Sequence, residues 1–271
     1  MKKWVYIILV CMGALALMCG CSQDASTAPS VAQNSSVEES TARSSAQDTS
    51  AKEGEASAAT ESEVSTGAEG ERKTYTITRV DQAPDWSAVP QLDIDKVQWT
   101  DDYGIRAHAQ LCYDSKALYV RMWAEEQDVR ATYTTDDPLP KCYEDSCLEF
   151  FFQLSEKDAR YMNFEFNPNA ALCCEIGTEK QNRVVLVPPS DALTPTANRT
   201  DDGWDLTYRL PFEFLRMFYP EFSAEPGVQI RGNLYKCGNL TAHKHYLSWN
   251  PVESDTPNFH LPSSFGVLVF G

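Results

Sequence analysis

Residues 142–167 read Cys-Tyr-Glu-Asp-Ser-Cys-Leu-Glu-Phe-Phe-Phe-Gln-Leu (142–154), Ser-Glu-Lys-Asp-Ala-Arg (155–160) and Tyr-Met-Asn-Phe-Glu-Phe-Asn (161–167). Both outer runs alternate with the period of two that a strand requires. Leu148, Phe150, Phe152 and Leu154 fall on one face, and Cys147, Glu149, Phe151 and Gln153 on the other. In the second run Met162, Phe164 and Phe166 oppose Tyr161, Asn163, Glu165 and Asn167. The joining segment, 155–160, is short enough for an antiparallel hairpin. One face is core. The other carries carboxylates, amides and a tyrosine at regular spacing, which suits a surface gripping a polar, ring-shaped ligand.

Outward from this hairpin the same pattern recurs. Strands are expected at Thr74–Val80, Ile105–Tyr113, Ala117–Glu125, Leu172–Ile176, Arg183–Val187, Gly203–Leu210, Val228–Tyr235, His245–Trp249 and Gly266–Phe270. Asp-Asp, Asn-Pro-Asn and Asp-Asp-Gly turn signals separate them. One short helix is expected at 212–219, after Pro211. Many short strands at this spacing imply an all-β fold, an antiparallel β-sandwich of jelly-roll or immunoglobulin-like kind.

The chain begins Met-Lys-Lys, followed by an apolar run from Trp4 to Met18. That run is shorter than the roughly 20 residues of a membrane span and fits a secretory signal. It ends Leu-Met-Cys-Gly-Cys21, which resembles a bacterial lipobox and implies cleavage before Cys21 and lipidation of its thiol. Residues 1–20 are thus expected to be a signal peptide. Between Ser22 and Thr74 there is no aromatic residue, and Ser, Thr, Ala and Glu dominate. Such a segment buries too little apolar surface to offset its ordering entropy. Residues 21–72 are therefore expected to be a lipidated cysteine and a tether reaching roughly 40 Å. Residues 73–271 form one domain, expected outside the cytoplasm and held to the cell envelope.

The chain has a formal net charge of −16, and the domain's 29 acidic and 18 basic residues leave it at −11. That excludes nucleic acid as a natural partner, since affinity for phosphates rests on Lys and Arg. Six cysteines follow Cys21, at 112, 142, 147, 173, 174 and 237; they are expected as buried free thiols, with no Cys-x-x-Cys pair to suggest zinc. Glu149 and Glu165, facing across the hairpin, give the minimum apparatus of a glycan-acting enzyme. No catalytic motif accompanies them. His108, His243, His245 and His260 with Met122 and Met162 leave a haem or redox-binding sandwich as another alternative. No cofactor is required by the sequence.

The aromatics give the binding reading. Tyr143 precedes a strand, Trp249 ends one, and Phe259 lies in a proline-bounded loop, Thr256–Pro262. Exposed rings at loop tips stack on the C–H face of a sugar. Arg231 and Asn233 share a strand face and supply donors for hydroxyls.

Three blocks then carry a family resemblance. Tyr143-Glu-Asp-Ser-Cys-Leu-Glu149, Gly203-Trp-Asp-Leu-Thr-Tyr-Arg-Leu-Pro-Phe212 and Phe259-His-Leu-Pro-Ser-Ser-Phe-Gly266 resemble, in order, blocks of the family 9 carbohydrate-binding modules. The resemblance implies a β-sandwich that binds an oligo- or polysaccharide without catalysis. It implies that Tyr143 and Phe259 stand where the family has two stacking tryptophans, and that Glu149 is an acidic sugar contact. Structural calcium is implied too, with no ligands assigned. The expected ligand slot therefore comprises Tyr143, Glu149, Asn163, Glu165, Arg231, Asn233, Trp249 and Phe259.

Overall fold

The computed structural model describes residues 6–8, 72–189 and 191–271. The signal peptide other than residues 6–8, Cys21 and the tether up to residue 71 lie outside the described residues.

Fifteen strands and one short helix occur among the described residues. They are β1 (Tyr6–Ile8), β2 (Thr74–Arg79), β3 (Leu92–Ile94), β4 (Lys96–Val97), β5 (Arg106–Tyr113), β6 (Ala117–Glu125), β7 (Cys147–Gln153) and β8 (Tyr161–Phe166). There follow β9 (Leu172–Gly177), β10 (Val184–Val187), β11 (Thr196–Thr200), β12 (Gly203–Pro211), α1 (Phe212–Arg216), β13 (Gln229–Gly238), β14 (His245–Ser248) and β15 (Gly266–Phe270). Every expected strand is present within a few residues of its expected ends. The helix is shorter than expected, closing at Arg216 rather than 219.

The first layer runs β1-β10-β9-β8-β7-β13, after which β15 takes one end of β13 and β14 the other. The second layer runs β3-β5-β6-β12-β11. Neighbours are antiparallel except at β2, which is parallel to β15 through Thr74–Ile77 and to β5 through Thr78 and Arg79. This one strand passes from the first layer into the second and makes the sheet curl on itself.

The core between the layers is the apolar face read from the sequence. Leu148, Phe150, Phe152, Met162, Phe164 and Phe166 of the first layer meet Leu111, Val120, Met122, Leu206, Tyr208 and Leu210 of the second. The Phe166 and Tyr208 rings lie 4.7 Å apart across the gap. In the hairpin register Leu148, Phe150 and Phe152 oppose Phe166, Phe164 and Met162, so both strands present large apolar side chains to one side. Fully burying such a side chain contributes about 1.5–3 kcal/mol, which makes this hairpin the centre of the fold. All six domain cysteines are free thiols.

Candidate ligand-binding face

The opposite face of the first layer is where the sequence places an open slot. In the structure that face is covered. Phe151 of β7, Tyr161 of β8, Tyr235 and Cys237 of β13 and Tyr246 of β14 form a second cluster with Val252, Phe259 and Phe265 from the segment 250–265. Phe259 stacks on Tyr235 with ring centroids 4.0 Å apart and planes 11° from parallel, and it also meets Trp99 and Tyr246. It keeps 8 % of its surface exposed. The expected flanking aromatic is thus a plug. The reason is the interleaving of aromatics among the polar residues of this face: they give the returning chain enough apolar surface to seal it.

The polar residues beneath satisfy one another. Asn163 Nδ2 donates to Glu165 Oε1 at 2.9 Å, and its Oδ1 accepts from Arg183 at 2.6 and 3.1 Å. The Arg183 guanidinium lies over the Tyr161 ring at 4.1 Å. Asn233 donates to the carbonyls of Asn250 and Ser264. Arg231 donates to the carbonyls of Phe265 and Gly266. These donors hold the covering segment instead of facing a ligand. Trp249, expected at a rim, is also in the core, packed so tightly on Gly266 that a Cβ there would lie 2.5 Å from the indole.

Glu149 and Glu165 stand directly opposite each other, as their spacing requires. Both are buried, Glu149 to 3 % exposure. Burial first, then the Cys237 thiol beside it, pushes the Glu149 carboxyl well above the usual carboxylate range; burial and then Glu149 do the same to Glu165. Cys237 Sγ donates to Glu149 Oε1 at 2.9 Å. Glu149 therefore lies under the surface on which it was expected to meet a sugar, and the pair as expected for hydrolysis has no open cleft over it.

Among the described residues one set of three histidine, cysteine or carboxylate donors converges: Cys147, Glu149 and Cys237. Its thiols are soft donors, unlike the oxygens calcium takes, so this set does not fit the calcium that the family resemblance implies. The set contains no histidine. Met122 and Met162 fill the inter-layer core.

Tyr143 alone of the expected aromatics reaches solvent, at 39 % exposure. It sits in a 3-10 turn, Cys142–Glu144, that leads into β7. The turn is fixed by the segment that follows β13: Asn239 and Leu240 N–H donate to the carbonyls of Tyr143 and Glu144. Asp145, the next residue, is fully buried. Its Oδ2 accepts from the Thr132 and Tyr133 amides at 2.7 and 3.0 Å and from Asn167 Nδ2 at 2.9 Å, and Arg130 Nε lies 3.2 Å from Oδ1. Ser146 Oγ donates to Glu126 Oε2 and accepts from Arg130 N. The Glu-Asp-Ser stretch thus ties the 126–133 segment to the sheet and holds Tyr143 at its rim.

Close to this turn, an open cleft of about 370 Å³ is lined by Tyr103, Glu125, Glu126, Asp128, Asp202, His243 and His245, among others. Tyr103 stacks on His243 with centroids 4.8 Å apart. Its floor holds a buried charge cluster that the sequence reading missed. Lys236 Nζ, on the core side of β13, reaches Glu126 Oε1 at 3.1 Å, His245 Nε2 at 2.7 Å and the Cys237 carbonyl at 2.9 Å. Glu126 also accepts from Trp204 Nε1 at 2.7 Å.

Burial, and after it Lys236, lowers His245 to about 4 from an ordinary 6.5. A histidine held neutral by the fold contributes stability above its unfolded value, and that contribution is lost as pH falls from 6.5 towards 4. Between pH 7 and 4.5 this is about 2 kcal/mol. Urea midpoints at the two pH values should therefore fall further for the native protein than for His245→Gln; equal losses would remove His245 as the acid-sensitive group.

Comparison with known proteins places this geometry. A family model described as "Carbohydrate-binding family 9" matches residues 78–270. No curated protein matches the chain. Among solved structures, a Bacteroides uniformis protein described only provisionally as carbohydrate-binding superposes with a TM-score of 0.62 at 23 % identity, covering 74 % of this chain and 100 % of its own. A family 9 module from Caldicellulosiruptor kristjanssonii in complex with glucose superposes with a TM-score of 0.53 at 12 % identity, covering 73 % and 96 %. The same organism's module in complex with cellotriose gives 0.51 at 13 %, covering 73 % and 93 %. These likenesses bear on the fold, which is the family's β-sandwich.

Proposed function

The chain belongs to carbohydrate-binding family 9, and from that premise we propose that its domain, residues 73–271, binds a neutral oligo- or polysaccharide non-covalently. The observation that supports this most directly is Tyr143, an exposed ring on a turn fixed by backbone hydrogen bonds from Asn239 and Leu240. A rigid aromatic at a rim offers a flat apolar face without an ordering cost on binding. The acidic surface suits a neutral ligand. Glu149, Asn163, Glu165, Asn233 and Phe259 then act from below, holding the face on which the ring stands. Glu149 and Glu165 serve structure in this reading, so no catalytic step is assigned to them.

The test is calorimetric titration of the purified protein with neutral saccharides, with cellotriose as the first probe. Tyr143→Ala should weaken binding roughly five- to tenfold, about 1 kcal/mol, with an unchanged melting temperature. Absence of saccharide binding, or binding indifferent to Tyr143→Ala, would overturn this assignment.

The same proposal places the domain outside the cytoplasm, lipidated at Cys21 and standing off the envelope on residues 22–72. A single acyl chain holds weakly and two hold stably, so a diacylated Cys21 would suffice as an anchor. Cys21→Ser should shift the protein from the membrane to the soluble fraction or leave it unprocessed. Normal processing with full membrane retention would count against the anchor.

A further inference from the structure

The face sealed by Phe259 contains a donor set that saccharide binding does not use. Cys147 and Cys237 are directly opposed in the β7–β13 register. Glu149 is two residues along β7 and so points the same way. One ligand atom from each of the three lies within 4.8 Å of the others, and all three residues are buried. They stand on two central strands, each paired on both sides, so the set is rigid before anything binds. We propose that Cys147, Cys237 and Glu149 form a zinc site, with the fourth position left to water.

The chemistry of the donors selects the ion. Two sulfurs and one carboxylate suit a borderline-soft cation, and zinc takes tetrahedral sets of this mixed kind. Zinc–sulfur and zinc–oxygen bonds of about 2.3 and 2.0–2.2 Å place ligand atoms roughly 3.5–3.8 Å apart. The present ligand atoms lie within 4.8 Å of one another, and Cys237 Sγ is 2.9 Å from Glu149 Oε1. Coordination replaces two S–H bonds and one carboxyl O–H with bonds to zinc and releases three protons to solvent; no electron is transferred. Glu165, opposite Glu149, has an Oε2 without a hydrogen-bond partner.

A metal here would tie β7 to β13 directly below the turn that carries Tyr143, whose carbonyl lies 3.8 Å from Cys237 Sγ.

The experiment uses the full chain, reduced and freed of metal by a chelator, with cobalt(II) as a spectroscopic probe and zinc as competitor. One equivalent of cobalt should bind with a thiolate-to-metal charge-transfer band and tetrahedral d–d bands, and zinc should displace it. Zinc should also slow alkylation of Cys147 and Cys237, read by mass spectrometry on the unaltered protein. Cys147→Ser and Cys237→Ser should each remove the charge-transfer band and lower affinity at least 100-fold. A reduced protein with no thiolate band, a band that survives both substitutions, or alkylation of the two cysteines at the same rate with and without zinc would overturn the proposal. So would a Cys147–Cys237 disulfide whose reduction restores no cobalt uptake. None of these readouts involves saccharide, so the site stands or falls apart from the binding function.

Discussion

Asp145→Ala should lower the stability of the domain by about 3–5 kcal/mol, measured as a shift in the urea midpoint at constant slope. The carboxylate is fully buried and holds two backbone amides, one side-chain amide and one guanidinium. Hydrogen bonds to a charged group contribute about 1.5–3 kcal/mol each, and stranding their donors adds a desolvation cost. The sum is not additive, because the three hydrogen-bond donors share one oxygen and relax together, while the Arg130 ion pair is half-exposed. Asp145→Asn keeps the size and part of the accepting capacity, so it should fall between the native protein and the alanine variant. The same change should loosen the Tyr143 turn and weaken saccharide binding without touching the ring. A loss below about 1 kcal/mol for Asp145→Ala would mean that water or a neighbour replaces the carboxylate, and that the 126–133 segment is held by other contacts.

Lys236→Met should cost a similar amount, about 3–5 kcal/mol, for the opposite reason: it leaves a buried acid without its countercharge rather than donors without an acceptor. Lys236 has no exposed surface, and breaking one side of a buried pair leaves an uncompensated charge. Burial pushes Glu126 up, but Lys236, Trp204 and His245 together outweigh it, so its carboxyl sits below the ordinary value. A carboxyl depressed by folding stabilises above its unfolded pKa, and that stability is lost as pH falls through the folded one. With Lys236 replaced, burial is no longer offset by the ammonium, and Glu126 folds more readily protonated. The penalty of Lys236→Met should therefore shrink as pH falls towards 4. The double variant Lys236→Met, Glu126→Gln should recover most of the loss, since a neutral amide can still meet Trp204 and Ser146. If the double variant is as unstable as Lys236→Met alone, the cost lies in packing and not in charge.

The architecture was legible because strands announce themselves by period. β6 and β15 match their expected limits, and the hairpin β7–β8 pairs as its alternation requires. The strands that escaped notice are β1, in the apolar run read as a signal, β3 and β4, of three and two residues, and β11, whose Thr-Ala-Asn-Arg-Thr carries no apolar alternation. The site was less legible. Alternation along β7 and β8 separates two faces but does not say what covers each. The cover comes from residues 250–265, about 100 positions away, and its sign was the aromatic content of the polar face: Phe151, Tyr161 and Tyr235 among the carboxylates. Lys236 had a local sign as well. It continues the inward row of Ile230, Gly232 and Leu234, and a lysine in such a row demands a buried acid. Which acid it finds depends on the second layer, and nothing in the spacing of residues 126 and 236 points to it.

The strand β2 has a bearing on how the chain acquires its shape. It is the first strand of the domain, and it lies between β5 and β15, the last. Its partner residues 267–270 are nearly 200 positions away, so this pairing carries a large loop-closure entropy and forms slowly. Until β15 is available to pair, one edge of β2 stays open. A chain shortened by the five residues of β15 should never reach the closed state, however long it is given.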